Sequence, residues 1–133
     1  MKLIVTIKYL GTNYAGFQVQ PQKTTIQGEL CRAFADFFGF EVCVTGCSRT
    51  DRGVHANGFT ATVEPKSDTV KTTDWCTIPP SKLHRAVNIL LPVDISVVAA
   101  AFVPDEFHPR YDVVGKQYVY RIYDKPFRDP FLY

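Results

Sequence analysis

Residues 24–39 of the chain read TTIQGELCRAFADFFG. The apolar side chains in this stretch recur at the 3.6-residue spacing that brings them onto one face of an α-helix. They are Ile26, Leu30, Ala33, Phe34, Phe37 and Phe38. Thr24 or Thr25 is suited to cap the start of this helix, and Gly39 is suited to its end. The stretch therefore predicts an amphipathic helix with one apolar face.

Segments with strand character lie on both sides of this helix. In residues 3–9, the side chains alternate in a two-residue period and β-branched residues dominate, which is typical of a β-strand. Residues 41–45 and 58–63 predict two more strands, joined by a loop at residues 46–57. Residues 95–103 and 113–123 predict a fourth and a fifth strand.

A second, shorter helix is predicted for residues 81–90, between a Pro-Pro pair and Pro92. Residues 64–80 are rich in Pro, Ser, Asp, Thr and Lys and predict an irregular connection. The resulting order is β-α-β-β-α-β-β. It predicts an α+β, ferredoxin-like (RRM-like) domain, in which two helices pack on a mostly antiparallel sheet. Small RNA-binding modules share this arrangement, but the fold alone does not give the function.

The bulk composition indicates one globular unit. The chain has 133 residues, of which 46% are hydrophobic, and this is enough for one sizeable core. Its apolar runs are short and interrupted, so we expect no membrane partner and a cytoplasmic location. The four cysteines form no C-x-x-C pair, and we expect them to be reduced packing residues, with no metal site. They are Cys31, Cys43, Cys47 and Cys76.

Basic and aromatic residues are interleaved in the second half of the chain. Basic groups attract phosphates and aromatic faces stack on bases, so this pattern is compatible with an RNA partner. The alternative is an ordinary solvated strand face with half-buried tyrosines, and the formal net charge of +2 does not decide between the two. The residues concerned are Arg110, Tyr111, Lys116, Tyr118, Tyr120, Arg121 and Tyr123.

The loop GCSRTDRGVHA at residues 46–56 has the composition of a reactive site. Asp51 has a positive charge on either side, from Arg49 and Arg52, which suits a carboxylate that acts as a nucleophile or a base. Gly53 permits a tight backbone path near a ligand. The alternative is an Asp-Arg-Gly surface turn with an ion pair, which contributes little to stability.

Five ordered segments resemble one family, the TruA-type tRNA pseudouridine synthases. Residues 49–56, RTDRGVHA, resemble the family's R-T-D-x-G-V-H-A signature. The others are YLGTNYAGFQVQ at 9–20 with TIQ at 25–27, NILLPVDI at 88–95, FHPRY at 107–111 and KQYVY at 116–120. Phe17, Pro109 and Tyr111 depart from the Trp, Ala and Phe that the family usually has at these positions.

The resemblance implies a chemical role for three residues. Asp51 matches the catalytic aspartate that acts at C1′ of uridine. Arg49 matches an arginine that helps to extrude the target nucleotide, and Tyr118 matches the tyrosine that packs against the flipped uracil. The resemblance implies neither a cofactor nor a metal. Weaker candidates for RNA contacts are Gln18, Arg52, His55, Arg110 and Lys116, and we expect His55 to support the loop rather than to act as a base.

The resemblance also implies a partner and a domain organisation. The expected partner is tRNA, bound at the anticodon stem-loop around positions 38–40, and the full-length enzyme is expected to be a homodimer. Residues 1–123 match the catalytic N-terminal domain, and residues 124–133 match the start of a connection to a second domain that this chain lacks. We therefore expect a fragment with little activity alone. A non-catalytic RNA-binding module and a merely structural domain are the alternatives.

Overall fold

A computed structural model describes residues 1–132 of the chain. These residues form three helices and four strands, and two single 3₁₀ turns lie at Gly11–Asn13 and Pro130–Leu132. In order, the elements are β1 (Lys2–Tyr9), α1 (Ile26–Phe38), β2 (Val42–Gly46), β3 (Ala56–Pro65), α2 (Asp68–Lys71), α3 (Pro80–Asn88) and β4 (Ile95–Val103).

The four strands form one sheet in the order β2-β3-β1-β4, and every neighbouring pair is antiparallel. With α1 and α3 as the two larger helices, this is the ferredoxin-like arrangement, so the predicted α+β fold is confirmed. The core lies between the sheet and these helices, because alternate residues of β1 are buried and the same is true of one face of α1. The most buried side chains include Leu3, Ile7, Leu30, Phe34 and Leu83.

The predicted first helix is confirmed together with its ends. Of the two possible caps, Thr25 is the one used, and its hydroxyl accepts a hydrogen bond from the amide of Gly28 at 3.2 Å. The helix ends at Gly39, which has a φ of 82°. The prediction agrees with the structure because the apolar spacing, the N-terminal cap and the C-terminal glycine all lie within one short segment.

Both ladders of the central strand β1 are irregular close to Tyr9. On one side Ile7 pairs with Phe59 but Tyr9 pairs with Ala56, so β3 contains one extra residue. On the other side β4 contains an extra residue between Val97 and Ala99. The side chain of Asn88 covers this second bulge, since it donates to the carbonyl of Val97 at 2.9 Å and accepts from its amide at 2.8 Å.

The predicted fifth strand, residues 113–123, is wrong. The segment has no regular secondary structure, and most of its side chains are exposed. Its alternating pattern is that of a strand, but a strand is stable only when it pairs with a neighbour, and neither edge of the four-stranded sheet binds it. Val113 packs partly against the core, but the other Tyr and Val side chains of this run therefore remain exposed to solvent.

Smaller differences also separate prediction and structure. The connection predicted as irregular contains the four-residue helix α2, and Cys43 is exposed rather than packed. All four cysteines are free thiols.

The predicted connection at residues 124–133 is described only as far as Leu132, because Tyr133 lies outside the described residues. None of the helices in residues 1–132 is long and apolar enough to cross a membrane.

Candidate active site

Two loops meet at the end of β1 where the ladders are irregular. The first, residues 10–25, leads from β1 to α1, and the second, residues 47–55, leads from β2 to β3. Thr50 joins the two loops, because its carbonyl accepts from the amide of Phe17 at 3.1 Å, and its hydroxyl lies 2.8 Å from the hydroxyl of Tyr9 at the end of β1. His55 joins the loops a second time, since its Nδ1 accepts from the amide of Gly11 at 2.8 Å. The side chain of His55 therefore helps to hold the two loops together.

Glycine is required at two points of this junction. A Cβ atom on Gly11 would lie 2.0 Å from the carbonyl oxygen of Val54, so only glycine allows the loops to come this close. Gly53 has a φ of 80° and lies in a turn closed by a 3.2 Å hydrogen bond from the amide of Val54 to the carbonyl of Asp51. A positive φ at the third position is the requirement of a type II turn. The turn presents Asp51 at its first position.

The first loop is fixed by Gln27, in the first turn of α1. The Gln27 side chain accepts from the amide of Val19 at 2.9 Å and donates to the carbonyl of Val44 at 2.7 Å. The amide of Gln27 donates to the carbonyl of Phe17 at 2.9 Å. One residue therefore ties the loop, the helix and β2 together, and the groove beside Asp51 has a rigid wall.

A second anchor of the first loop reaches the start of β4. The hydroxyl of buried Tyr14 donates to a carboxylate oxygen of Asp94, and the amide of Leu10 donates to the Asp94 carbonyl at 2.9 Å. Burial raises the pKa of Tyr14, and the hydrogen bond and negative charge of Asp94 raise it further. Tyr14 and Asp94 both fall in segments that resemble the family, but only the fold shows that they meet.

Asp51 lies in a groove of about 280 Å³ between the two loops. Within residues 1–132, no hydrogen bond or ion pair engages the side chain of Asp51, Arg49 or Arg52. The surface ion pair that was the alternative to a reactive site is therefore absent among the residues described. The groove is lined by Asp51 together with Gln18, Gln20, Lys23, Arg49 and Arg52, among others.

Tyr118 acts electrostatically on Tyr9, at this end of the sheet, although its segment is not a strand. Burial raises the pKa of the Tyr9 hydroxyl, the hydrogen bond with Thr50 lowers it, and the nearby side chains of Cys47 and Tyr118 raise it. The side chain of Tyr118 is 60% exposed. The ring of Tyr118 is thus open to solvent, and its hydroxyl acts electrostatically on that of Tyr9.

The structure does not bring all the candidate residues together. Gln18, Arg49, Asp51 and Arg52 line one groove, and His55 supports it. Arg110 follows a turn whose Phe107 carbonyl accepts from Lys2 at 3.2 Å, at the end of β1 opposite to Tyr9. Lys116 is exposed, and no hydrogen bond or ion pair in the described part of the chain connects it or Arg110 to the groove.

Sequence reasoning missed Lys23, which lines the same groove as Asp51. Lys23 lies in the gap between the segments at residues 9–20 and 25–27, where no motif or periodicity marks it.

The side chains that line the groove indicate which kind of chemistry it could support. A single unpaired carboxylate is surrounded by cationic and amide side chains, an arrangement suited to nucleophilic or base chemistry on an anionic ligand. In residues 1–132, no three His, Cys, Asp or Glu side chains are grouped as metal ligands.

Known proteins resemble the chain over almost its whole length. A sequence profile described as tRNA pseudouridine synthase matches residues 5–112. The tRNA pseudouridine synthase A of Aquifex aeolicus is 41% identical over 130 residues, which cover 98% of this chain and 50% of that relative. The proteins of the same name from Ruminiclostridium cellulolyticum and Caldicellulosiruptor saccharolyticus are 44% and 42% identical, over 94% and 98% of this chain. The chain spans about half the length of these curated relatives.

Proposed function

The chain belongs to the tRNA pseudouridine synthase family, and we propose that it carries the catalytic carboxylate, Asp51, of an enzyme that isomerises uridine to pseudouridine in tRNA. One observation above all supports this proposal. Among the residues that the structure describes, Asp51 is exposed and unpaired in a groove, on a turn whose loop is anchored by Tyr9, Phe17 and Gly11. A reactive group held by a rigid scaffold and left free of partners is what catalysis requires.

The proposed reaction is an isomerisation, so no atom is gained or lost overall. The bond between C1′ and N1 of uridine breaks, the uracil turns, and a bond forms between C1′ and C5. The hydrogen of C5 is released as a proton, and N1 takes up a proton. Asp51 acts either as a nucleophile on the sugar or as the base that assists these steps. Either role requires a carboxylate with free oxygens beside the sugar.

Arg49 and Tyr118 are proposed to handle the flipped base. Arg49 lines the groove beside Asp51 with an unpaired guanidinium, a planar group that stacks and binds phosphate. Tyr118 lies near Tyr9 and offers an exposed ring for stacking on uracil. Extrusion of the nucleotide is needed because an enzyme cannot reach the glycosidic bond of a base that is stacked in a helix.

The substrate and assembly follow the family resemblance. We propose the anticodon stem-loop of tRNA as the target region, positions 38–40 as the modified uridines, a cytoplasmic location, and a homodimer for the longer enzyme. We also propose that residues 1–123 are the catalytic domain and that the 133-residue chain alone turns over little RNA, since its relatives are about twice as long.

The test uses a chimera in which residues 1–133 replace the matching half of the Aquifex aeolicus relative. The substrate is unmodified tRNA carrying tritium at C5 of uridine, because the proposed reaction releases the hydrogen of C5. Asp51→Asn keeps the size of the side chain but removes the nucleophile and base, so we expect turnover to fall by more than about 10³-fold. The matched control is Asp74→Asn, which changes another exposed aspartate. Turnover that survives in Asp51→Asn contradicts the proposal.

A second candidate function is a non-catalytic RNA-binding module. The unpaired cations of the groove favour it, since Lys23, Arg49 and Arg52 bind RNA phosphates whether or not Asp51 reacts. The chimera distinguishes the two functions. Tight tRNA binding without tritium release, in a chimera whose unmodified parent relative is active in the same assay, would favour the binding module.

A further inference from the structure

The geometry points to an RNA phosphate site beside Asp51, formed by Lys23 and Arg52 where two grooves adjoin. This inference rests on the proposed function, because the phosphate is that of an RNA strand whose target nucleotide enters the Asp51 groove. Both side chains line the groove of Asp51 and also a second groove of about 440 Å³. Lys23 and Arg52 therefore lie at the boundary between the groove proposed for the reacting nucleotide and the second groove, which would hold the neighbouring part of the RNA strand.

The second groove has the chemistry of an anion site. Besides Ala15, Lys23 and Arg52, its lining includes Thr12, Asn13 and Thr24, whose hydroxyl and amide groups donate hydrogen bonds. No acidic residue is among the residues that line it, and its one aromatic residue, Tyr14, is buried with its hydroxyl on Asp94. A groove with donors and cations but without an exposed ring is suited to the backbone of RNA rather than to a base.

The charges of Lys23 and Arg52 are available to a ligand. Within residues 1–132, neither side chain forms an ion pair or a hydrogen bond. By contrast, four basic side chains elsewhere are paired with carboxylates, at distances between 2.8 and 3.7 Å. These are Lys2, Arg32, Lys66 and Lys71. The cations at the junction of the grooves are thus left unneutralised, which raises the affinity of this surface for phosphate.

The backbone that carries Lys23 is fixed on both sides. The amide of Ala15 donates to the carbonyl of Thr24 at 2.9 Å, and Nε2 of Gln20 donates to the carbonyl of Ala15 at 2.6 Å. Arg52 lies in the turn that presents Asp51. Each cation therefore starts from an ordered position, and only its side chain needs to move when a phosphate binds.

The test measures the affinity of the 133-residue chain for a fluorescent, uridine-containing RNA stem-loop at several salt concentrations. Removing one cation that binds a phosphate makes the dependence of log Kd on log salt less steep by about 0.7 to 1. We expect Lys23→Ala to weaken binding several-fold at low salt and to reduce the slope by this amount, and Arg52→Ala to do the same. Lys23→Arg keeps the charge, so it should keep the Kd and the salt slope of the unaltered chain.

The matched control is Lys82→Ala, which removes an exposed lysine from the start of α3, away from both grooves. It should leave Kd and the slope almost unchanged. The inference is overturned if Lys23→Ala behaves like Lys82→Ala, or if the unaltered chain binds the RNA without a dependence on salt. Turnover plays no part in this readout. RNA binding that depends on Lys23, together with a chimera that releases no tritium although its parent relative does, would support the phosphate site and reject the proposed function.

Discussion

At the scale of single residues, the approach of the two loops depends on the absence of a side chain at Gly11. The Cβ of an alanine would lie 2.0 Å from the carbonyl oxygen of Val54, which forces the loops apart. We expect Gly11→Ala to lower the free energy of unfolding by about 1–3 kcal/mol, the usual range for overpacking. Chemical denaturation measures this change.

The matched control for this substitution is Gly58→Ala. A Cβ on Gly58 would have no atom within 4 Å, and its φ is not positive. We expect a change of less than about 1 kcal/mol, because only the conformational entropy of the chain is altered. Equal stability of the two variants would contradict the proposed role of Gly11.

Tyr14 gives the protein a dependence on alkaline pH. Burial, the hydrogen bond to Asp94 and the charge of Asp94 raise the pKa of Tyr14 in the folded chain above its unfolded value of about 10. The folded state therefore holds a proton that the unfolded state releases, and the contribution to stability is lost as the pH rises above about 10. Tyr14→Phe removes this contribution, so its stability should fall less steeply between pH 9 and pH 11.

The urea midpoint at several pH values measures this difference. Tyr120→Phe serves as the control, because the ring of Tyr120 is 88% exposed. Tyr9, whose pKa burial also raises, is present in every variant and cancels in the comparison. If Tyr14→Phe keeps the full decline of the unaltered protein at high pH, the Tyr14–Asp94 contact does not contribute as described.

Most of the predicted site residues that the structure places in one groove lie close together along the chain. Arg49, Asp51 and Arg52 belong to one loop, so the loop that contains them can be recognised as a unit. Lys23 reaches the same groove from another loop, and the Asp94 carboxylate meets Tyr14 from a position 80 residues away. Contacts of this kind depend on how the strands pair, and no local pattern encodes them.

At the scale of elements, Asn88 joins the end of α3 to the bulge in β4. Its amide group forms two hydrogen bonds with the main chain of buried Val97. Asn88→Ala leaves both main-chain groups without this partner, so we expect it to destabilise the fold by about 1–3 kcal/mol. Thermal unfolding monitored by circular dichroism measures this destabilisation.

Asn57→Ala is the control for this prediction, since Asn57 is an exposed residue of β3 whose side chain has no hydrogen bond in the described structure. Its effect should be within about 0.5 kcal/mol, as for most surface substitutions. Comparable destabilisation in Asn57→Ala and Asn88→Ala would show that the bulge does not need the Asn88 amide.

The elements also differ in how well the sequence predicts them. The sequence predicts α1 with its ends, because a helix forms its hydrogen bonds within the segment and Thr25 supplies the cap locally. The run at residues 113–123 has the alternation of a strand but depends on an edge to pair with, and its sequence does not reveal whether one is present. A helix can be predicted from its own residues, whereas the pairing of a strand with a distant neighbour cannot.

At the scale of the whole molecule, the structure predicts a sharp contrast in amide protection. β1 lies between two neighbours in the sheet, while residues 116–125 have no strand partner and are exposed. We expect amides of β1 to exchange with solvent slowly and those of residues 116–125 to exchange close to the unprotected rate. Hydrogen exchange followed by mass spectrometry resolves the two segments.

Protection of residues 116–125 equal to that of β1 would contradict this description of the segment. A change in the hydrogen exchange of residues 116–125 on adding RNA would test a separate point, the role proposed for Tyr118. Tyr118 lies in this segment, so slower exchange in the presence of the RNA stem-loop would support its proposed contact with the base. The exchange of β1 serves as the internal control in both experiments.

The contacts that form the groove join residues distant in sequence, and this determines when the groove exists during synthesis. Thr50 meets Tyr9 of β1 across 41 residues, His55 meets Gly11 across 44, and Tyr14 meets Asp94 across 80. While Asp94 is still inside the ribosome, the nascent chain therefore lacks the Tyr14–Asp94 contact that anchors the first loop, even if α1 has already folded. The groove beside Asp51 is complete only after β4 begins to emerge, so an unfinished protein does not yet present its reactive carboxylate in a formed binding site.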